Sequence, residues 1–202
     1  MILRLRLAAV VGLLIVPLAG CTTRVVSNTP RTAIEQLLLS GAVDAALAKF
    51  TLPDVGGKKI FVDLANLKSY DAEYVKVAVR ARFAKLGGVL VPTADAADYV
   101  AEVACGGLGT ELKEGTLGIP AIPLPGSPTA LPELSIYKSV EQTGIMKLLI
   151  FVHEKGRFVA SGEYYAKCDR TEGLVLFFRI TWTDEIREGW ERADAAQAAG
   201  GN

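Results

Sequence analysis

The hydrophobic pattern changes period part-way along the chain, and that change constrains the fold more than any other feature. Between Thr32 and Phe50 apolar residues recur at helical spacing: Ile34, Leu37, Leu38, Val43, Ala46, Leu47 and Phe50. Ser40-Gly41 interrupts the stripe, so the segment reads as one helix with a weak point or as two short helices. A second helical stripe runs through Tyr74, Val75, Ala78, Val79, Phe83 and Leu86, with Asp71 as candidate cap and Gly87-Gly88 as its stop. Ile60-Phe61-Val62-Asp63-Leu64 reads as a strand before it, and Val89-Leu90-Val91 as a brief strand after it. Asp95 to Asp98 fits a single helical turn. From Tyr99 onward the strand period dominates. Tyr99 to Cys105 alternates, which puts Cys105 on one face with Tyr99 and Val103. Leu134–Gln142, Ile145–His153, Arg157–Lys167 and Leu174–Trp182 read as further strands, with a hairpin turn at Lys155-Gly156 and a short closing helix over 184–192. The expected fold is α+β: a mixed, mostly antiparallel sheet with two main helices on one face and a C-terminal meander.

Residues 115–132 carry Gly115, Gly118, Pro120, Pro123, Pro125, Gly126, Pro128 and Pro132, a density of breakers that predicts a long loop. The same stretch holds Leu117, Ile119, Ile122 and Leu124, so it is less polar than a solvated loop. Prolines pre-stiffen it, which lowers the entropy lost on docking. These four residues are candidate partner contacts, for another protein or for the bilayer. The alternative is a loop folded back over its own sheet.

The N-terminus carries an address. Arg4 and Arg6 precede an apolar run from Leu7 to Leu18, and Leu18-Ala19-Gly20-Cys21 follows. This is the order of a secretory signal: basic segment, apolar segment, small residues at a cleavage site. The apolar run is shorter than the ~20 residues a spanning helix needs. Leu-Ala-Gly-Cys closely resembles the lipobox of bacterial lipoproteins. That resemblance implies cleavage between Gly20 and Cys21, a diacylglyceryl group on the thiol and an acyl group on the freed amine. Two or three acyl chains anchor stably, at about 0.8 kcal/mol per buried CH₂. Thr22, in place of an aspartate, implies sorting to the outer membrane. The expected organisation is a signal peptide over 1–20, a lipidated tether over 21–31, a single domain over 32–192 and a disordered tail over 193–202.

Removing residues 1–20 takes away two arginines and no acid, leaving 20 basic against 22 acidic residues, a net charge of −2. With no basic excess to meet a phosphate backbone, nucleic-acid binding is not expected. Lipidation of Cys21 would leave Cys105 and Cys168 as an even pair, a candidate disulfide in an oxidising compartment or else two buried thiols. His153 is the one histidine and has no ligand-spaced companions, so no metal site, cofactor or histidine-based catalytic set is expected. Asp63, Asp95, Asp98, Glu102, Glu111, Glu114, Asp169, Glu172, Asp184 and Glu185 are scattered carboxylates that could supply an acid/base pair. Gly106-Gly107-Leu108-Gly109 has neither a phosphate-loop nor a dinucleotide-loop register and fits a bulge instead.

The stretch Arg31 to Asp44, the unit around Lys59-Ile60-Phe61-Val62-Asp63, and Leu117-Gly118-Ile119-Pro120-Ala121 together resemble a family of uncharacterised bacterial lipoproteins with a single α/β domain. More distantly, the order of elements is similar to envelope lipoproteins of the TraT and curli-secretion type. That family brings no known activity; the anchor, the hydrophobic loop and the missing catalytic set point instead to a non-enzymatic envelope lipoprotein that binds or scaffolds partners. The alternatives are an oligomeric surface-exclusion or secretion-type lipoprotein, and a periplasmic enzyme using surface carboxylates.

Overall fold

The computed structural model describes residues 31–69, 71–119, 122–123, 126, 130–131, 134–175 and 178–200. The chain divides into two units, residues 1–32 and 33–202, and every element below belongs to the second. The expected signal peptide and Cys21 lie outside the described residues.

Helix α1 spans Ala33–Ala48 and helix α2 spans Ala72–Lys85. Strand β1 (Lys59–Asp63) precedes α2, and β2 (Val89–Leu90) follows it. A 3₁₀ turn at Ala94–Ala96 leads into β3 (Tyr99–Ile119). Short strands β4 (Ile122–Pro123) and β5 (Ala130–Leu131) pair with each other. Then come β6 (Leu134–Glu154), β7 (Arg157–Val175), β8 (Phe178–Asp184) and helix α3 (Glu185–Gly200).

The main sheet has the order β2-β1-β3-β6-β7-β8. β1 lies parallel to both β2 and β3, because α2 carries the chain back across the sheet between β1 and β2. All other pairs are antiparallel, so β6, β7 and β8 form the expected meander. The fold is α+β, as the change of period implied.

The core lies under the helices. Ile60, Val62, Tyr99, Ala101, Val103, Met146, Leu148, Ile150, Val152, Ala166 and Cys168 supply the sheet side. Leu38, Ala42, Val43, Ala46 and Leu47 come from α1, and Val75, Val79 and Phe83 from α2. Phe50 meets Phe83 and Tyr164 edge-on, at ring-centre distances of 5.1 and 5.4 Å. Each large side chain removed from water here contributes about 1.5–3 kcal/mol.

Several expectations are corrected. Helix α1 is continuous through Ser40-Gly41. Gly41 faces the sheet, where a Cβ would stand 2.8 Å from the Cys168 sulfur. Of the two readings, the single helix holds, and Gly41 is a point of close approach.

The expected loop over 115–132 is much shorter. β3 continues to Ile119 and β6 begins at Leu134, the two remaining paired throughout. Ladder hydrogen bonds to β6 outweigh the weak strand preference of Gly115 and Gly118, and regular pairing with β6 stops before Pro120, which has no N–H to donate. The two runs 134–142 and 145–153 merge into one strand through Thr143-Gly144. Gly144 has no Cβ because the Leu38 carbonyl of α1 occupies that space.

The turn into β8 lies beyond Val175 instead of at Glu172-Gly173, since Gly173 stays in the ladder beneath the Trp182 indole. Residues 193–200 belong to α3 and not to an irregular tail. Ala193, Ala195, Ala196, Ala198 and Ala199 explain this, alanine being the strongest helix former.

Candidate functional site

Strands β3, β6, β7 and β8 run well past the helices. Beyond Gly107 in β3 and Ile145 in β6 they form an arm whose faces differ in chemistry.

The face continuing from the helix side carries charged pairs, with Leu112, Val140 and Leu174 among them. Glu114 and Lys138 approach to 3.6 Å across β3 and β6. Arg170 donates from Nη2 to Glu172, and its Nε lies 3.7 Å from Asp184. Arg179 stands 3.8 Å from the other Glu172 oxygen. Arg170 is largely covered, and so are its two acids. Unpaired charges in that setting would be costly, so the cluster holds β7, β8 and the start of α3 in register.

The opposite face is apolar towards its tip, beyond Glu111, Lys113 and Glu141. The register sets Leu117, Tyr137, Val175 and Phe178 in one row across all four strands. Ile180 lies in the next row, opposite Gly173. A register shift between Thr171 and Glu172 leaves Trp182 as the extra residue, and its ring folds over Gly173 towards Tyr137, 6.0 Å between ring centres. Leu117 is 65 % exposed, Phe178 73 % and Trp182 50 %. Ile119 and Ile122 are also exposed. Isolated exposed apolar residues are ordinary, but a contiguous row of them marks a contact surface.

Of the expected contact residues, Leu117, Ile119 and Ile122 therefore lie exposed at the arm, and Leu124 lies outside the described residues. Tyr137, Phe178, Ile180 and Trp182 extend that surface. The signal for three of them is in the chain: Phe178, Ile180 and Trp182 alternate with Arg179 and Thr181. Only the meander brings them beside Leu117.

Cys105 and Cys168 are both free thiols, which corrects the candidate disulfide. Cys105 pairs with Leu148 of β6, whereas Cys168 pairs with Gly144 on the other side of that strand. Two strand spacings and a four-residue offset separate them by roughly 16 Å, against the ~7 Å limit for bridging α-carbons. Cys168 is buried, and burial together with Glu185, Asp169 and Asp184 pushes its thiol up to about 11.

Most of the scattered carboxylates serve the frame, while the buried Asp169 Oδ1 has no hydrogen-bond partner among the described residues. Asp63 accepts from the Ala65 N–H, and Asp98 from the Lys59 N–H, both at 2.9 Å. Glu185 accepts from the Asp169 N–H at 2.7 Å. Glu102 lies 3.3 Å from His153 Nε2, and His153 Nδ1 accepts from the Gly156 N–H at the hairpin turn. Among the described residues no group of three or more His, Cys, Asp or Glu is placed to hold a metal ion.

A concavity of about 580 Å³ opens between the N-terminal halves of α1 and α2. Leu37, Val43, Val75 and Leu108 line it, with Tyr74 at the rim. The Tyr74 hydroxyl donates to the Asp44 carboxylate at 2.9 Å. Burial and that carboxylate push the phenol up to about 12. The pair clamps α2 to α1.

Residues 15–161 match the model of a family of unknown function, DUF6655. The chain belongs to this family. The DUF6655 match runs from residue 15 to Ser161 in β7, so it takes in α1, α2, β3 and β6. Leu117 and Tyr137 fall inside the DUF6655 span, and Phe178, Ile180 and Trp182 lie beyond it. No curated protein matches the chain.

Proposed function

We propose that this protein is a lipoprotein of the bacterial envelope, anchored by lipid on Cys21 at the periplasmic face of the outer membrane, and that it acts by binding a partner and not by catalysis. The leader and its Leu-Ala-Gly-Cys ending support the anchor. The observation that carries the binding reading is the apolar row Leu117, Tyr137, Val175 and Phe178, exposed at Leu117 and Phe178 and half-buried between them, flanked by the exposed Ile180 and Trp182. A lipid tether of about ten residues would keep the domain at the membrane, among other envelope proteins. Most of the carboxylates are held in turns, ladders and ion pairs, which leaves the catalytic alternative little support.

Two measurements test this. In cells fed an alkyne fatty acid, the native chain takes up label and sediments with outer membranes, and Cys21→Ser does neither. Label uptake by Cys21→Ser equal to that of the native chain overturns the anchor. A photo-crosslinking residue at position 178 yields an adduct with another envelope protein, and the same residue at the solvated position 163 does not. A chain that remains uncrosslinked from position 178 overturns the binding reading.

A further inference from the structure

Strand β3 has 21 residues, yet β1 pairs only with Tyr99 to Glu102. From Val103 to Ile119 its outer edge pairs with nothing among the described residues. Residues 111–119 are all exposed. An edge of this length presents a row of free N–H and C=O groups, and proteins ordinarily blunt such edges with proline, bulges or dense charge. This one has no proline, its register shifts lie only near the two ends of that stretch, and only Glu111, Lys113 and Glu114 carry charge between Val103 and Ile119.

We propose that this edge pairs with the same edge of a second copy of the chain, antiparallel, about a two-fold axis through Leu112. The inference stands apart from the proposed function, since it requires neither the lipid nor the apolar face.

Three observations select that occupant and that register. A two-fold axis perpendicular to the sheet keeps like faces together, so a residue can meet only a residue of the same parity. Under that restriction Glu111 is the sole acid of β3 that can stand opposite Lys113, and it does so only when Leu112 meets Leu112. The charge pair then occurs twice, once on each side of the axis. Opposite charges directly across a ladder are favourable, and like charges are not.

The regular stretch of β3 has the same centre. Its pairing with β6 shifts register between Cys105 and Gly107, and again between Leu117 and Gly118. The unbroken run is thus Gly107 to Leu117, whose midpoint is Leu112. Finally, Leu112 is 60 % exposed, and in this arrangement each copy covers the other's. The sheets join into one continuous sheet, with backbone hydrogen bonds for affinity and the Glu111–Lys113 pairs for register.

The test is a charge swap read by sedimentation velocity on the full chain in detergent. Position 113 is exposed and faces Glu141 of β6, so Lys113→Glu costs the fold no more than about 1 kcal/mol and the chain still folds, as circular dichroism will verify. The native chain is a dimer. Lys113→Glu sets Glu against Glu twice and weakens dimerisation on the order of tenfold, as does Glu111→Lys. The double variant Glu111→Lys, Lys113→Glu restores unlike pairs and recovers native affinity. Leu112→Cys oxidises to a disulfide-linked dimer. A monomeric native chain overturns the proposal. So does a single variant that dimerises as the native chain does, or a double variant that fails to recover.

Discussion

The backbone of Gly41 in α1 rests directly on the thiol of Cys168 in β7: a Cβ at position 41 would stand 2.8 Å from the sulfur and 3.4 Å from the Cys168 Cβ. This contact sets how closely the first helix approaches the sheet. An alanine in a helix interior is normally better than glycine by about 1 kcal/mol. Here the clash should exceed that gain, since overpacking a core costs about 1–3 kcal/mol. Gly41→Ala is expected to lower stability by about 1–2 kcal/mol in urea titration. In a Cys168→Ala background, where the sulfur is gone, the same substitution should be neutral or stabilising. Equal effects in both backgrounds would remove the contact as the cause.

The free thiols make a chemical prediction. Without reductant, the denatured chain should be alkylated at both Cys105 and Cys168, as mass spectrometry will count. In the native chain Cys105, only partly covered, should react before the buried Cys168. The pH dependence follows from the raised Cys168 value. Its folded pKa, about 11, lies above the value of 9.0 for a free thiol, so the native state holds the proton more tightly. The resulting stability is fully present below pH ~9 and is lost as pH rises through about 11. Cys168→Ala should flatten that part of the stability profile. A profile still falling as steeply would assign the loss to other groups.

Arg170 bridges Glu172 and Asp184 where all three are largely covered. Arg170→Ala leaves two carboxylates together without their cation. The expected cost is about 2–4 kcal/mol, near the range for breaking a buried pair. Arg170→Lys should recover part of it, because an ammonium keeps the charge but not the fork. Thermal unfolding of the two variants beside the native chain checks the order, and an alanine variant as stable as the lysine one would contradict it.

The apolar row should be dispensable for folding. Phe178→Ser with Ile180→Ser removes two exposed side chains that contribute little to the core. Stability should change by no more than about 0.5 kcal/mol per site. Crosslinking from a neighbouring probe at position 117 should disappear. A large loss of stability would instead give the row a structural role.

Helical stripes in α1 and α2, alternation in Tyr99–Cys105 and the Lys155-Gly156 turn were legible in the chain, because each depends on residues close in sequence. So was the apolar character of Leu117, Ile119 and Ile122. What could not be read locally were the consequences of pairing. Gly115 and Gly118 look like loop residues until β6 supplies their ladder partners. Gly41 looks like a helix break until the Cys168 sulfur is found above it.

By itself the sequence determined the order and type of the main elements and the face that α1 and α2 bury. Tertiary structure alone decided the rest. Strand order put β6 between Cys105 and Cys168 and kept their thiols apart. The meander carried Phe178 beside Leu117 to make one apolar face from distant segments. The short β1, paired with only four residues of β3, left the remainder of that edge open. Each of these depends on which strands are neighbours, and hydrophobic period encodes which face of a strand is buried but not which strand lies beside it.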